Sequence, residues 1–273
     1  MSIGALQQEA VPVLGWQELA LSGIFILIAG FTSLGLRLGM EKRIALAALR
    51  SVSQLLLLGL VLRWLFDASS PWIVLGIGLA MALYAGFEAT RRTPWRISGM
   101  LPLTMLVMVA SALSIAVYST SGILEATPWY EPRLLIPILG MILGNSLNGI
   151  SLGLDTVLSG FDRERDRVEA LLALGVDSRR ASRDVVRNAI RTGMVPILNS
   201  MIAAGLLSIP GMMTGQILGG APPFQAALYQ IFILFTIAGA VALGTLGVVL
   251  GTTRLLFDER QRLRLDRMRK ARG

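Results

Sequence analysis

The sequence predicts an all-α, polytopic membrane protein of about seven transmembrane helices, with its N-terminus outside and its C-terminus inside. Three observations predict it. Hydrophobic residues make up 54% of the 273 and charged ones only 15%, with a mean hydropathy of +0.66, whereas soluble domains average about 45–50% apolar. Seven apolar stretches approach the roughly 20 residues needed to cross hydrocarbon. Of the 25 lysines and arginines, 22 fall in alternate connections, the asymmetry that orients membrane proteins. That bias accounts for the net charge of +8, so nucleic acid is not expected as a partner. With no cysteine and no histidine, disulfides, thiolate metal sites and the commonest metal ligand are excluded. No basic segment followed by a small-residue cleavage site opens the chain, and no cleavable signal peptide is expected.

The apolar stretches run 16–36, 45–66, 71–88, 98–118, 134–157, 194–212 and 225–250. The first connection holds Arg37, Lys42 and Arg43, and the third Arg91, Arg92 and Arg96. The fifth, 158–193, carries eight arginines, and the tail, 252–273, carries eight basic residues. The intervening segments are poor in charge: Glu9 before the first span, Asp67 beside Arg63, then Glu125, Glu131 and Arg133, and none before the last span. The basic connections are therefore expected in the cytoplasm.

Two spans carry polar groups. At about 100° per residue, Met141, Gly144, Asn145, Asn148, Ser151 and Asp155 share one arc of the fifth span. Unpaired amides and carboxylates are costly in hydrocarbon, so this stripe should face other helices or water. Two readings fit it: interhelical hydrogen bonding, with Gly140, Gly144, Gly149 and Gly153 allowing close approach, or the lining of a polar path. In the second span Arg50 lies at helical spacing with Ser53 and Gln54. Arg50 either pairs with Asp155 or Glu88 or extends to the cytoplasmic headgroups.

The connection 158–193 reads as two amphipathic helices. DRERDRVEALLAL, 162–174, has acids in its first turn and Val168, Leu171 and Leu172 on one face. Gly175 ends it, and Asp177 or Ser178 can cap a second helix. There Arg179, Arg183, Arg187 and Arg191 recur at steps of four, opposite Ala181, Val185 and Ala189. The pair fits either an interfacial element on anionic lipid or a docking element for a cytoplasmic partner. The uncharged run 208–223, SIPGMMTGQILGGAPP, fits either a re-entrant segment or a tight outer turn.

The order Glu169-Ala170-Leu171, three residues, then Gly175 resembles the first half of the EAA loop of ABC-importer permeases, a helix–glycine–helix element that fits a groove on the ATPase subunit. The second half departs from that pattern, since the first later proline is Pro196. GNSLNGISLGLD, VEALLALGVDSRRASRDVVRNAIRTGMVPILNSM and GLLSIPGMMTGQILGGAPPFQAALYQI resemble, in order, the Fet-type iron-export ABC permeases, a family that includes plant aluminium-resistance half-transporters. The resemblance covers 143–231 and, more loosely, 48–62.

That resemblance implies a bacterial inner-membrane permease, present as a homodimer, that pairs with a separate cytoplasmic ABC ATPase and exports iron or a related metal ion. Glu169, Ala170, Leu171, Gly175 and Asp177 would form the ATPase-coupling element. The chain contains no GxxxxGK[ST] phosphate loop, so it is expected to be a transport subunit that binds no cofactor itself, ATP being used by the partner. For a cation the available oxygens are those of Asn145, Asn148, Ser151, Asp155, Thr214 and Gln216, and these are the candidate path; methionines within spans are read as packing. No resident metal site is assigned. A retinal protein is excluded because the only lysines are Lys42 and Lys270. An ion-gradient carrier, an ABC permease for another small solute, and a receptor or scaffold using the basic tail stay open.

Overall fold

The structure, a computed structural model, describes residues 15–66 and 70–270; Glu9, Asp67 and the last three residues lie outside the described residues. The chain forms two compact units. The first is a helical hairpin of α1, Trp16–Gly35, and α2, Glu41–Phe66. Its turn is closed by Ser33, whose hydroxyl donates to the Glu41 carboxylate at 2.8 Å and accepts the Met40 N–H at 3.1 Å. Both helices are apolar and largely exposed, a surface that belongs in lipid rather than water.

The second unit contains α3, Pro71–Arg92; α4, Met100–Tyr118; α5, Pro132–Arg163; α6, Arg165–Ala173; α7, Ser178–Ala181; α8, Arg183–Ala203; α9, Gly211–Leu218; and α10, Pro223–Leu256. Two short strands, β1, Trp95–Arg96, and β2, Arg269–Lys270, pair antiparallel. Among the described residues six helices are long and apolar enough to cross a membrane: α1, α2, α3, α4 with its π turn through Ile123, α5 and α10. These coincide with six of the seven predicted stretches.

Residues 194–212 do not form the single apolar helix expected of them. They divide between the second half of α8 and the start of α9, with the break at Ala204–Pro210, where Gly205 has φ +90°. After the single turn of α7, the rest of the second amphipathic helix and the first part of the sixth stretch are one continuous helix, Arg183–Ala203, so arginines occupy its first half. The direction of α8 is nevertheless that of a span. It runs antiparallel to α5, with Val185 against Gly160 and Gly193 against Gly149.

The core lies where α5, α8 and α10 cross. A methyl placed on Gly149 would fall 2.7 Å from Val241 Cγ1 and 2.8 Å from the Gly193 carbonyl oxygen; one on Gly193 would fall 2.6 Å from Thr245 Cγ2. Around this point Ile142, Ile150, Leu154 and Val248 are fully buried. In a bilayer no hydrophobic gain separates helix from lipid, so such close fitting carries the association. On the other side α4 closes the bundle, with Val107 against Gly247 and Leu103 against Gly251.

Gly193→Leu is expected to destabilise the protein by about 1–3 kcal/mol or more through overpacking, seen as a lowered unfolding temperature in detergent. Gly144→Ala, where nothing lies within 4 Å, should leave that temperature unchanged; equal stability of the two variants would show that the crossing is not tight.

Candidate functional site

α5 is 32 residues long, roughly 48 Å at 1.5 Å per residue, and it joins both candidate regions. Its stripe lies along the edge of the bundle. Gly144 and Asn148 are exposed, Met141, Asn145 and Asp155 half-buried, and Ser151 buried. Asn145 donates to the Met141 carbonyl at 2.9 Å. The other three meet the C-terminal end of α3 and the turn after it. Asn148 Oδ1 accepts from Arg92 Nη1 at 2.7 Å, Ser151 donates to the carbonyls of Leu147 at 2.6 Å and Ala89 at 3.4 Å, and Asp155 Oδ1 accepts from Thr93 at 3.2 Å. Arg92 and Thr93, which the sequence did not single out, thus place the stripe level with the α3–α4 turn. That turn is fastened by Arg96, whose guanidinium donates to the carbonyls of Thr90 and Trp95, a cation at the negative end of α3.

Thr214 and Gln216 lie on α9, and no hydrogen bond links them to the stripe among the described residues. Thr214 donates to the Pro210 carbonyl at 3.3 Å, while Gln216 Oε1 is enclosed without a partner among the described residues. Arg50 and Gln54 are exposed on α2 in the hairpin; Glu88 is half-buried on α3 in the bundle. No three carboxylates converge to hold a metal ion among the described residues. The bundle also encloses hydroxyls of Ser146, Thr245 and Thr252 and the Gln230 carbonyl with no partner among the described residues. Their sequence signal is weak, since isolated serines and threonines in apolar helices ordinarily bond to the preceding turn.

The second region is the elbow between α5 and α8. α5 runs on to Arg163 rather than ending before Asp162, so the first amphipathic helix is shortened to α6. Val168 is buried and Leu171 and Leu172 are half-buried, the apolar face that periodicity predicts. At its end the Gly175 N–H reaches the Leu172 carbonyl and the Val176 N–H the Leu171 carbonyl, a Schellman closure that needs the left-handed φ of +83° at Gly175. Asp177 caps α7 by accepting the Arg180 N–H at 2.7 Å. Ala170 is exposed, and Glu169 pairs with Arg165 at 2.9 Å.

The elbow is tied to its surroundings at two points. Arg167 pairs with Glu164 at 2.9 Å and with Asp184 at the start of α8. The hydrogen bond from Arg167 holds the Asp184 carboxyl below the usual aspartate range. The C-terminal segment supplies the second tie: Gln261 Oε1 accepts the Ser178 N–H at 2.9 Å. A groove of about 710 Å³ separates Glu169, Leu172, Gly175 and Asp177 from Arg260 and Leu263 of that segment.

The model of the uncharacterised protein family UPF0014 matches residues 16–257. The "UPF0014 membrane protein slr1647" of Synechocystis is 32% identical over 254 residues, 93% of this chain and 91% of that protein. The "Probable iron export permease protein FetB" of Escherichia coli is 28% identical over 93% of this chain and 96% of its own length. The "Protein ALUMINUM SENSITIVE 3" of Arabidopsis thaliana is 29% identical over 82% and 80%. No solved structure matches the chain with significance.

Gly175→Val forces a β-branched residue into the left-handed region at a cost of about 1–2 kcal/mol, whereas asparagine tolerates it. Amide exchange at Leu171–Val176 should therefore quicken in Gly175→Val and stay near the wild-type rate in Gly175→Asn. Equal protection in both would remove the conformational role of Gly175.

Proposed function

This chain belongs to the UPF0014 family of membrane proteins, and from that premise we propose that it is the permease subunit of an ABC exporter. It would work as a homodimer with a separate cytoplasmic ATPase in a bacterial inner membrane, its basic connections and C-terminus on the cytoplasmic side. The cargo would be iron(II) or a related metal ion, iron being the substrate in the name of the Escherichia coli relative.

One observation carries the reading. The elbow of α6 and α7 is continuous at one end with α5, which bears the amide and carboxylate stripe, and at the other with α8, which fits against α5 along its length. A push on the elbow is thereby transmitted to both helices, and with them to Asn145, Asn148, Ser151 and Asp155. These oxygens are exposed or half-buried at the edge of one protomer, apart from Ser151, so two protomers facing along α5 would enclose them. Oxygen donors of this kind suit a divalent cation that must bind and leave. Thr214 and Gln216 on α9 would serve the outer end of the path. Glu169, Ala170, Leu171, Gly175 and Asp177 would contact the ATPase.

The chain, purified with its ATPase and placed in vesicles, should move iron(II) only when ATP is hydrolysed. Asn148→Leu and Asp155→Asn should each lower that flux about tenfold while ATPase binding persists, and Gly175→Val should lower flux while leaving nucleotide hydrolysis in place. Transport driven by an ion gradient with no ATPase present would replace this reading with a secondary carrier. Wild-type flux in both stripe variants would return the stripe to helix packing.

A further inference from the structure

A second groove, of about 790 Å³, lies between the start of α8 and the end of α10. Its rim is formed by Arg179 of α7, Arg183, Arg187 and Arg191 of α8, and Arg254 of α10. Its floor is apolar: Val186, Ile190, Leu250 and Phe257. None of the five guanidiniums pairs with a carboxylate among the described residues, while other arginines of the same end do, as Arg167 with Asp184 and Arg262 with Asp258. Two acids are nearby, and both are engaged. Asp184 is held by Arg167, and Asp258, which lines the groove, accepts from Arg262 and from the backbone N–H groups of Arg260 and Arg262.

We propose that this groove binds an anionic phospholipid of the cytoplasmic leaflet, its phosphate among the arginines and an acyl chain along the groove between α8 and α10. Charge bias alone calls for arginines on this side, but not for one from α7, three from α8 and one from α10 lining one groove with apolar side chains. The floor does not end at the rim. On α10, Leu250, Leu246 and Leu243 are exposed at successive helical turns, and on α8, Leu198 and Ile202 are exposed. From Arg254 to Leu243 the rise is roughly 16 Å, close to the depth of one leaflet, about half of a 30 Å hydrocarbon core. A soluble phosphate would use the rim and leave this apolar track unfilled. A phospholipid matches both parts, and guanidiniums bind phosphate in paired hydrogen bonds. The inference rests on the cytoplasmic placement of this end and not on the ATPase.

The test is lipid retention by the intact chain, purified without its partner from membranes containing phosphatidylglycerol and phosphatidylcholine and weighed by native mass spectrometry. The wild type should keep phosphatidylglycerol in preference to phosphatidylcholine. Arg187→Gln with Arg191→Gln should weaken that retention about tenfold, whereas the same charge loss at Arg260 and Arg269 should not. Arg254→Gln, on the opposite wall, serves if the double variant does not fold. Inorganic phosphate should not displace the lipid; displacement would assign the rim to a soluble anion and overturn the proposal. Equal retention by both double variants would overturn it as well. So would loss of ATPase co-purification with lipid retention unchanged, since the groove would then be a protein-docking surface.

Discussion

Gly149 and Gly193 bring the backbones of α5 and α8 so close that neither position has room for a methyl group. Thr245 and Val241 of α10 fill the third side of the same point. In water such a crossing would be one contribution among many, because burying apolar surface would drive the helices together in any case. In lipid that drive is absent. The bundle then holds together where atoms fit more closely than lipid tails can, and the α5–α8 seam is such a place from Gly149–Gly193 to Gly160–Val185. The same close fit seats α8 against the bundle although arginines occupy its first half. Ala181, Val185 and Ala189 are small or branched and lie flat against the bundle, while Arg183, Arg187 and Arg191 point away from it.

The polar stripe depends on the same seam being on the far side of α5. With Gly149 and Gly153 turned towards α8 and α10, the arc that contains Asn145, Asn148 and Asp155 turns towards the α3–α4 turn and the bundle edge. There the amide of Asn148 and the carboxylate of Asp155 have partners, Arg92 and Thr93, at the depth where α3 ends. Asn145, about three turns from Asp155, relies on its own helix backbone.

Most of the fold was legible in sequence because its causes are local. Length and apolarity set six of the helices, and Gly175 and Asp177 announced the elbow through conformational and capping preferences that act within a few residues. The arginine face of α8 was equally plain from its period of four. What was not legible depends on distant parts of the chain. The fusion of the second amphipathic helix with the start of the sixth apolar stretch is not legible because Gly193 and Pro196, residues that ordinarily end a helix, stand between them, yet α8 runs through both and the break comes later, at Gly205. Arg92 reads only as loop charge and Thr93 carries no signal of its own, since nothing within 50 residues tells that Asn148 and Asp155 will meet them. The unpartnered hydroxyls of Ser146 and Thr245 are visible only once α5 and α10 are side by side.

The C-terminal segment bears on how rigid the elbow is. After α10 the chain folds into a short hairpin organised by Asp258, whose carboxylate accepts from Arg262 and whose own acidity is strengthened chiefly by the backbone N–H of Arg262. From there Gln261 reaches the start of α7, while Lys270 lies 4.8 Å from the Trp95 ring and β2 pairs with β1 in the α3–α4 turn. The elbow and the turn that holds the polar stripe are consequently attached to one and the same segment. The elbow is bound by α5, α8 and this segment, and forms one block with them. Since exposed ion pairs individually contribute little, the block owes its rigidity to covalent continuity and to backbone hydrogen bonds such as the Ser178–Gln261 contact. Through the pairing of β2 with β1 the same segment also reaches the turn that follows Arg92 and Thr93.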